Sequence, residues 1–481
     1  MRRRLLFFVP IAALLAYACG SSADSSSGQA PPEGDDDGGP AARDAGPSPP
    51  GDAGGDASDS GSTTASTQSL TLGHAFACAM KKSGAVKCWG SADQPIGTLG
   101  LEDTTDRGAK PGQMGAALPN VKLGAGRTAT SIASGLDHTC AVLDDARVKC
   151  WGFGGDGELG IGSPTGRGGN PGDMGDALPF VDLGTGRTAR SVAADEDHSC
   201  AILDDGHVKC WGANMHGELG LGDLASRGSK SGEMGDALPE VDLGTGRTAL
   251  ALALGTYRTC AILDDHSVKC WGWNGAGYLG IGDTSDRGDD PGEMGDALPR
   301  VNLGTGRTAV AIAASAETTC AVLDDGSLKC WGFVLGVFPS QSWGKSPSEM
   351  GDALPAVALG TARTAKRIAL GPGEYCAILD DDTLKCWGTN DSGELGQGDT
   401  TARGDQASDM GDSLPRVDLG PNRKVTAVAL GTSFACALLD GGDLKCWGKN
   451  DSGQLGLGDT SNRGDNPGEM GAALPNVDLG P

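Results

Sequence analysis

The chain has 481 residues, with 38 basic side chains against 63 acidic ones and a formal net charge of −25 at neutral pH. A phosphate-binding surface needs the opposite balance, so nucleic acid is excluded as a partner, whereas a cationic partner would be steered in. Fifteen cysteines resolve into one single residue and seven pairs, and the compartment decides what the pairs do.

The chain begins Met1-Arg2-Arg3-Arg4 and continues LLFFVPIAALLAYA, a charged start followed by an apolar run too short for a membrane span and interrupted by Pro10. Residues 1–18 are therefore expected to be an export signal. Cys19, the single cysteine, follows Leu15-Ala16-Tyr17-Ala18 and precedes Gly20-Ser21-Ser22, which resembles the lipobox of bacterial lipoproteins, with Ala16 where that pattern has leucine. The resemblance implies lipidation of Cys19 and an outer-membrane or cell-surface lipoprotein touching the membrane only through its anchor. Ordinary cleavage near Ala18 would instead give a secreted or periplasmic protein. Residues 19–68 are rich in Gly, Ser, Pro, Ala and Asp, cannot build a core, and are predicted to be a disordered acidic tether spanning roughly 35–42 Å.

From residue 69 onward the cysteines stand in pairs ten apart: Cys78/Cys88, Cys140/Cys150, Cys200/Cys210, Cys260/Cys270, Cys320/Cys330, Cys376/Cys386 and Cys436/Cys446. Each second cysteine is preceded by Lys and followed by Trp. In the copy CAVLDDGSLKCWG, apolar β-prone residues flank Asp324-Asp325-Gly326, the signature of a β-hairpin. A three-residue loop with a left-handed third position sets Leu323 opposite Ser327 and Cys320 opposite Cys330, at a non-hydrogen-bonded pair where sulfurs come close. The third position is Gly84, Gly206, Gly326 and Gly442 in four copies; Ala146, His266 and Asp382 hold it in the others, and Ala146 suits positive φ least. In an exported chain these pairs are expected to form seven cross-strand disulfides, each closing a short loop worth roughly 3 kcal/mol.

The pairs recur at intervals of 62, 60, 60, 60, 56 and 60 residues, a period that means a closed or stacked array. In the repeat taken at 184–243 four strands are predicted: around Ser191 to Ala194, Cys200 to Leu203, His207 to Trp211 and Pro239 to Leu243. Val-x-Leu-Gly follows every hairpin and precedes none at the start, so its last copy, Val477 to Gly480, has no hairpin after it. Ring closure would match the two ends and leave no free sheet edge.

The recurring Gly-x-x-His-Thr/Ser-Cys-Ala-x-Leu, Asp-Gly, Val-x-Cys-Trp-Gly and Gly-Glu-Leu-Gly-x-Gly resembles the regulator of chromosome condensation repeat, with the best copies at 135–162 and 369–398. The resemblance implies an all-β, seven-bladed β-propeller of four-stranded blades over residues 69–481, closed by the C-terminal strand pairing into the first blade. Departures are the longer repeat and the cysteine pairs. The family includes guanine-nucleotide exchange factors and a secreted β-lactamase-inhibiting propeller, so the fold leaves function open.

Candidate chemistry is sparse. The seven tryptophans at 89, 151, 211, 271, 331, 387 and 447 recur in every copy and are expected to pack the blades. The lysines two places before them are expected along blade edges near aspartates. His138 and His198 share one blade position and read as structural, and no catalytic constellation or metal cluster stands out. No cofactor is expected, although Asp-rich loops such as Asn390-Asp391-Ser392-Gly393-Glu394 would suit calcium without matching the helix-flanked loop spacing. The informative residues are those that escape the pattern. Tyr257, Trp273, Tyr278, Phe333, Phe338 and Trp343 crowd two adjacent repeats, and in the fifth FVLGVFPSQSWG replaces the usual loop. Sharing one face they would form a protein-binding patch; otherwise they are packing substitutes in a shortened loop. The sequence thus describes a monomeric, non-enzymatic module binding a protein or surface polymer at the cell envelope. An inhibitor of a secreted or periplasmic enzyme is the alternative, and a guanine-nucleotide exchange factor-like regulator the second.

Overall fold

Each cysteine-paired hairpin supplies two strands of its own antiparallel sheet, and a preceding strand adds the third, giving seven sheets. The computed structural model describes residues 67–338 and 341–481. The export signal, Cys19 and nearly all of the tether lie outside these residues; the first strand, Thr67–Leu72, starts two residues inside the stretch assigned to the tether.

The third repeat shows the pattern. Ala189–Asp195 is the inner strand, His198–Leu203 the middle one and Val208–Gly212 the outer one. The middle strand is buried at all six positions, because it has a strand on either edge and a sheet against each face. The loop is the three-residue form: Leu203 N–H donates to His207 O at 2.8 Å and Gly206 N–H to Leu203 O at 3.0 Å. Gly206 has φ 90°, and Ala146, His266 and Asp382 hold the same left-handed position at 61°, 61° and 64°.

This loop fixes the register, so every paired cysteine faces its partner, with Cα atoms 4.0–4.2 Å apart. All seven expected disulfides are formed: Cys78–Cys88, Cys140–Cys150, Cys200–Cys210, Cys260–Cys270, Cys320–Cys330, Cys376–Cys386 and Cys436–Cys446. They point to an oxidising, exported environment. Among the described residues no helix is long and apolar enough to cross a membrane.

The predicted fourth strand is not there. Val241 and Leu243 alternate inward as expected, but over Pro239 to Leu243 only one ladder bond to the outer strand forms, Val241 N–H to Val208 O at 2.8 Å. The far end of that strand is covered by Arg227, which exchanges both main-chain bonds with Gly212. Residues 228–240, with the single turn Gly235–Ala237, separate the two contacts, and Pro239 has no N–H to give. The edge is thus protected by two isolated rungs. The shortened fifth repeat differs: Ser342–Trp343 pairs with Gly332 and Phe333 as a true, two-residue fourth strand.

The C-terminal segment likewise forms no strand in the first sheet. Val477 N–H bonds Leu444 O in the last sheet, while Gly115 N–H of the first repeat donates to Asp478 O at 2.9 Å, and Lys81 Nζ donates to Gly480 O and Pro481 O. The Gly115 bond is one of a series: Gly175, Gly235, Gly295, Gly351, Gly411 and Gly471 make the same bond to the preceding repeat. The apolar clusters also lie between neighbouring sheets. One joins Cys140, Cys150 and Val142 to Leu203 and Trp211; another joins Cys436, Cys446 and Leu444 of the last repeat to Ala79 and Trp89 of the first.

The framework residues do more than pack. Trp89, Trp211, Trp271, Trp387 and Trp447 are fully buried and donate their indole N–H to a main-chain oxygen of the neighbouring repeat, at 2.9–3.1 Å. The lysines stand on the outer strands with aspartates nearby, as expected, and they are buried there. Lys209 is 5% exposed and its ammonium donates to Gly235 O and Leu183 O, closing the single turn of its own repeat and the tail of the previous one. Lys269, Lys329 and Lys385 repeat this two-carbonyl contact, Lys87 bonds Gly115 O and Leu118 O of its own repeat, and burial lowers the pKa of each. A long stem reaching buried carbonyls is the reason for lysine at this position.

Candidate functional site

The ends of the seven inner strands converge on one small cavity of about 80 Å³, lined by residues of every repeat, among them Leu72, Ser134, Asp195, Thr256, Ala314, Leu370 and Leu430. On its third-repeat side the chain departs from its own pattern. Asp195-Glu196-Asp197 stand where the fourth repeat has Gly255-Thr256-Tyr257.

Tyr257 occupies the turn into the middle strand Arg258–Leu263 with φ 60°, a left-handed conformation uncommon for a bulky residue, and its carbonyl accepts Trp273 N–H at 2.8 Å. Trp273 follows the framework Trp271-Gly272, and its ring meets Tyr257 edge-on at 6.4 Å and Tyr278 at 4.8 Å. His216, from the third repeat, completes the group at 5.3 Å from Tyr257 and 5.7 Å from Trp273. Asp286 fixes this arrangement by accepting from His216 Nδ1 at 3.0 Å and from Asn274 N–H at 2.8 Å. Beneath lies Arg258, fully buried, its guanidinium over the Tyr278 ring and bonded to Ser315 O, Ala316 O, Thr318 O and Thr319 Oγ1.

Of the six aromatic residues singled out in the sequence, three therefore come together. Tyr257 and Trp273 are half-buried and open to a partner, and Tyr278 is buried as their support. Trp343 and Phe338 pack into the core of the fifth repeat, Trp343 taking the bridging place that Arg287 fills in the fourth. Phe333 is 48% exposed, and among the described residues no ring contact joins it to the Trp273 group. Sequence reasoning missed His216 and its 64% exposed neighbour Met215. Their signal was available: other repeats have Asp391-Ser392 or Asp451-Ser452 there.

The paired cysteines take no part in this surface. Cys88, Cys210, Cys270 and Cys386 sit in outer strands, each directly before a framework tryptophan, and are fully buried together with their partners Cys78, Cys200, Cys260 and Cys376. Their sulfurs staple the sheets and offer neither a thiol nor a metal ligand to solvent.

The surroundings are acidic. Burial, and then the carboxylates of Glu196, Asp197, Glu218 and Asp156, push the Tyr257 hydroxyl above its ordinary pKa. Burial likewise raises Asp195 to about 8, with Glu196 adding repulsion, and Asp197 to about 6. An aromatic surface rimmed by carboxylates suits a cationic side chain, held by ring faces and charge together.

His138 and His198 lie apart from these rings. They are buried, and each Nε2 pairs across the repeat boundary with a hydroxyl, Ser199 Oγ at 2.8 Å and Thr259 Oγ1 at 2.9 Å. Burial holds their pKa values down, to about 4 and about 3.

Residues 129–158, 189–218, 250–277, 309–333 and 425–454 match the Regulator of chromosome condensation (RCC1) repeat. The chain is 27% identical over 399 residues to the ultraviolet-B receptor UVR8 of Arabidopsis thaliana, covering 82% of this chain and 79% of that protein. It is 26% identical over 313 residues to the human E3 ubiquitin-protein ligase HERC2, covering 64% of this chain but only 6% of HERC2. The solved structure of yeast RCC1 (Prp20) with Kap60 bound has a similar fold, with TM-score 0.56 at 18% identity over 86% of this chain and 85% of that one. The chain thus carries five segments that match the RCC1 repeat, and its fold is similar to that of an RCC1 propeller.

Proposed function

We propose that this chain is a non-enzymatic binding module at the cell envelope, a closed ring of seven blades whose partner is a protein or surface polymer presenting cationic groups. The observation that carries this reading is the His216–Tyr257–Trp273–Tyr278 group beside Glu196, Asp197 and Glu218. Rigid aromatic anchors dominate protein-binding hot spots, and a carboxylate rim favours lysine or arginine over neutral competitors. Kap60 bound to yeast RCC1 (Prp20) supports protein binding as a use of the fold. Export and lipid anchoring through Cys19 belong to the same proposal. They would place the module on an outer surface at the end of its tether.

Affinity capture from the native envelope, with mass spectrometry of the bound material, tests it. Trp273→Ala and Tyr257→Ala should each weaken capture at least tenfold while leaving the unfolding midpoint within a few degrees. Trp343 is a core residue and is not a suitable probe. Capture unchanged by both substitutions would refute the aromatic surface. A single secreted hydrolase held one-to-one through another face would move the assignment to the inhibitor reading.

A further inference from the structure

Three carboxylates cluster at the boundary between the second and third repeats. One oxygen each from Asp156, Glu158 and Asp197 lie within 4.8 Å of one another. Asp156 and Glu158 come from the loop after Trp151-Gly152, and Asp197 from the turn that opens the middle strand of the next sheet. Among the described residues none of the three has a Lys, Arg or His ion-pair partner.

Glu158 supplies a second, independent observation. Its equivalents Glu218 and Glu394 satisfy both carboxylate oxygens with main-chain N–H groups, from Met215 and His216 in one case and from Asp391 and Ser392 in the other. Glu158 has 0% exposure, yet only one oxygen is satisfied, by Asp156 N–H at 2.8 Å, and Oε1 has no partner. An anionic oxygen left unpaired in the interior costs several kcal/mol unless a proton or a cation completes it.

We propose that Asp156, Glu158 and Asp197 form a divalent cation site, with calcium as its occupant. Calcium takes six to eight oxygen ligands at about 2.4 Å, so two oxygens on one ion can stand up to about 4.8 Å apart. The three carboxylates fit inside such a sphere, water completes it, and Glu158 Oε1 gains the partner it lacks. Magnesium demands shorter bonds in a strict octahedron and is the poorer match. An ion here would tie the second repeat to the third.

Isothermal titration of the full chain with calcium chloride, in dilute buffer at pH 7.5 and with magnesium chloride as comparison, tests the site. One calcium should bind, and Glu158→Gln and Asp197→Asn should each weaken it at least tenfold. Both substitutions remove repulsion and are compatible with folding. Glu394→Gln, at the equivalent place in the sixth repeat, should leave the calcium isotherm unchanged. No heat up to millimolar calcium would overturn the proposal and leave protons as the charge-balancing species. Binding that survives the double substitution would overturn it as well, placing the ion elsewhere.

Discussion

Two buried histidines make the repeat boundaries sensitive to acid in a way that can be calculated. His138 and His198 titrate at about 4 and about 3 in the folded chain, against 6.5 when unfolded, because burial disfavours the imidazolium. Between those values the unfolded chain binds more protons, so stability is fully present above pH 6.5 and is lost as pH falls toward the folded values. At pH 5 both rings are still neutral in the fold, and the loss is set almost wholly by protonation of the unfolded state, about 2 kcal/mol for each histidine and about 4 kcal/mol for the pair. Thr318 occupies the same position in the fifth repeat and bonds Tyr375 across its boundary, so threonine is sterically acceptable there. Urea unfolding followed by tryptophan fluorescence, at pH 7.5 and 5.0, should show the native chain losing about 4 kcal/mol more than a His138→Thr/His198→Thr double variant. Carboxylates with raised pKa values, such as Asp195, act in the opposite sense and cancel in this comparison. A pH response equal in the two proteins within about 1 kcal/mol would refute the reasoning, since the histidines would then be charged or exposed in the fold.

The disulfides should act locally: Cys320→Ala/Cys330→Ala should lower stability by about 2–3 kcal/mol without altering the other six bridges, as read by urea midpoint and non-reducing peptide mapping. Lys209→Met should cost about 1–3 kcal/mol, because Gly235 O and Leu183 O lose their shared donor in a buried place, and the same unfolding assay reads it. Association with the captured partner should slow as salt rises from 50 to 500 mM, by about tenfold or more, if the carboxylates around Tyr257 steer it; a salt-independent on-rate would dismiss electrostatic steering.

Hairpins, turn residues and cysteine register were all legible, and for one reason. Side chains alternate with period two, so a spacing of ten between cysteines and a three-residue loop admit only one facing pair. Alternation alone was a weaker guide. Val241 and Leu243 alternate because their segment leans one side on the neighbouring sheet, and this burial pattern exists without a ladder; a fourth strand was therefore over-read where two single rungs stand. The lysines were placed on the blade edge but their burial was not read. Lysine is ordinarily a surface residue, but its recurrence beside the equally recurrent tryptophan was the better signal, since a position filled identically in every repeat answers to a contact every repeat must make.

The same logic, applied to departures, divides the candidate site into what could be read and what could not. Tyr257 replaces small or acidic residues, and Trp273 stands where Ser91, Ala213, Thr389 and Lys449 are small or polar and Phe153 and Phe333 are aromatic; both are half-buried loop positions, so Tyr257 above all reports a surface. Phe338 and Trp343 depart just as strongly, but they do so in the repeat that lost four residues, and there the missing backbone must be refilled from side chains. Departure in a loop of normal length points to function; departure in a shortened loop points first to packing. By that rule Met215-His216 and Asp195-Glu196-Asp197, which replace residues in loops of full length, belong with Tyr257 and Trp273. The structure does set His216 against the two rings and the carboxylates beside them. A polar departure carries the same information as an aromatic one, and it is the polar departures that give this surface its charge and its preference for a cation.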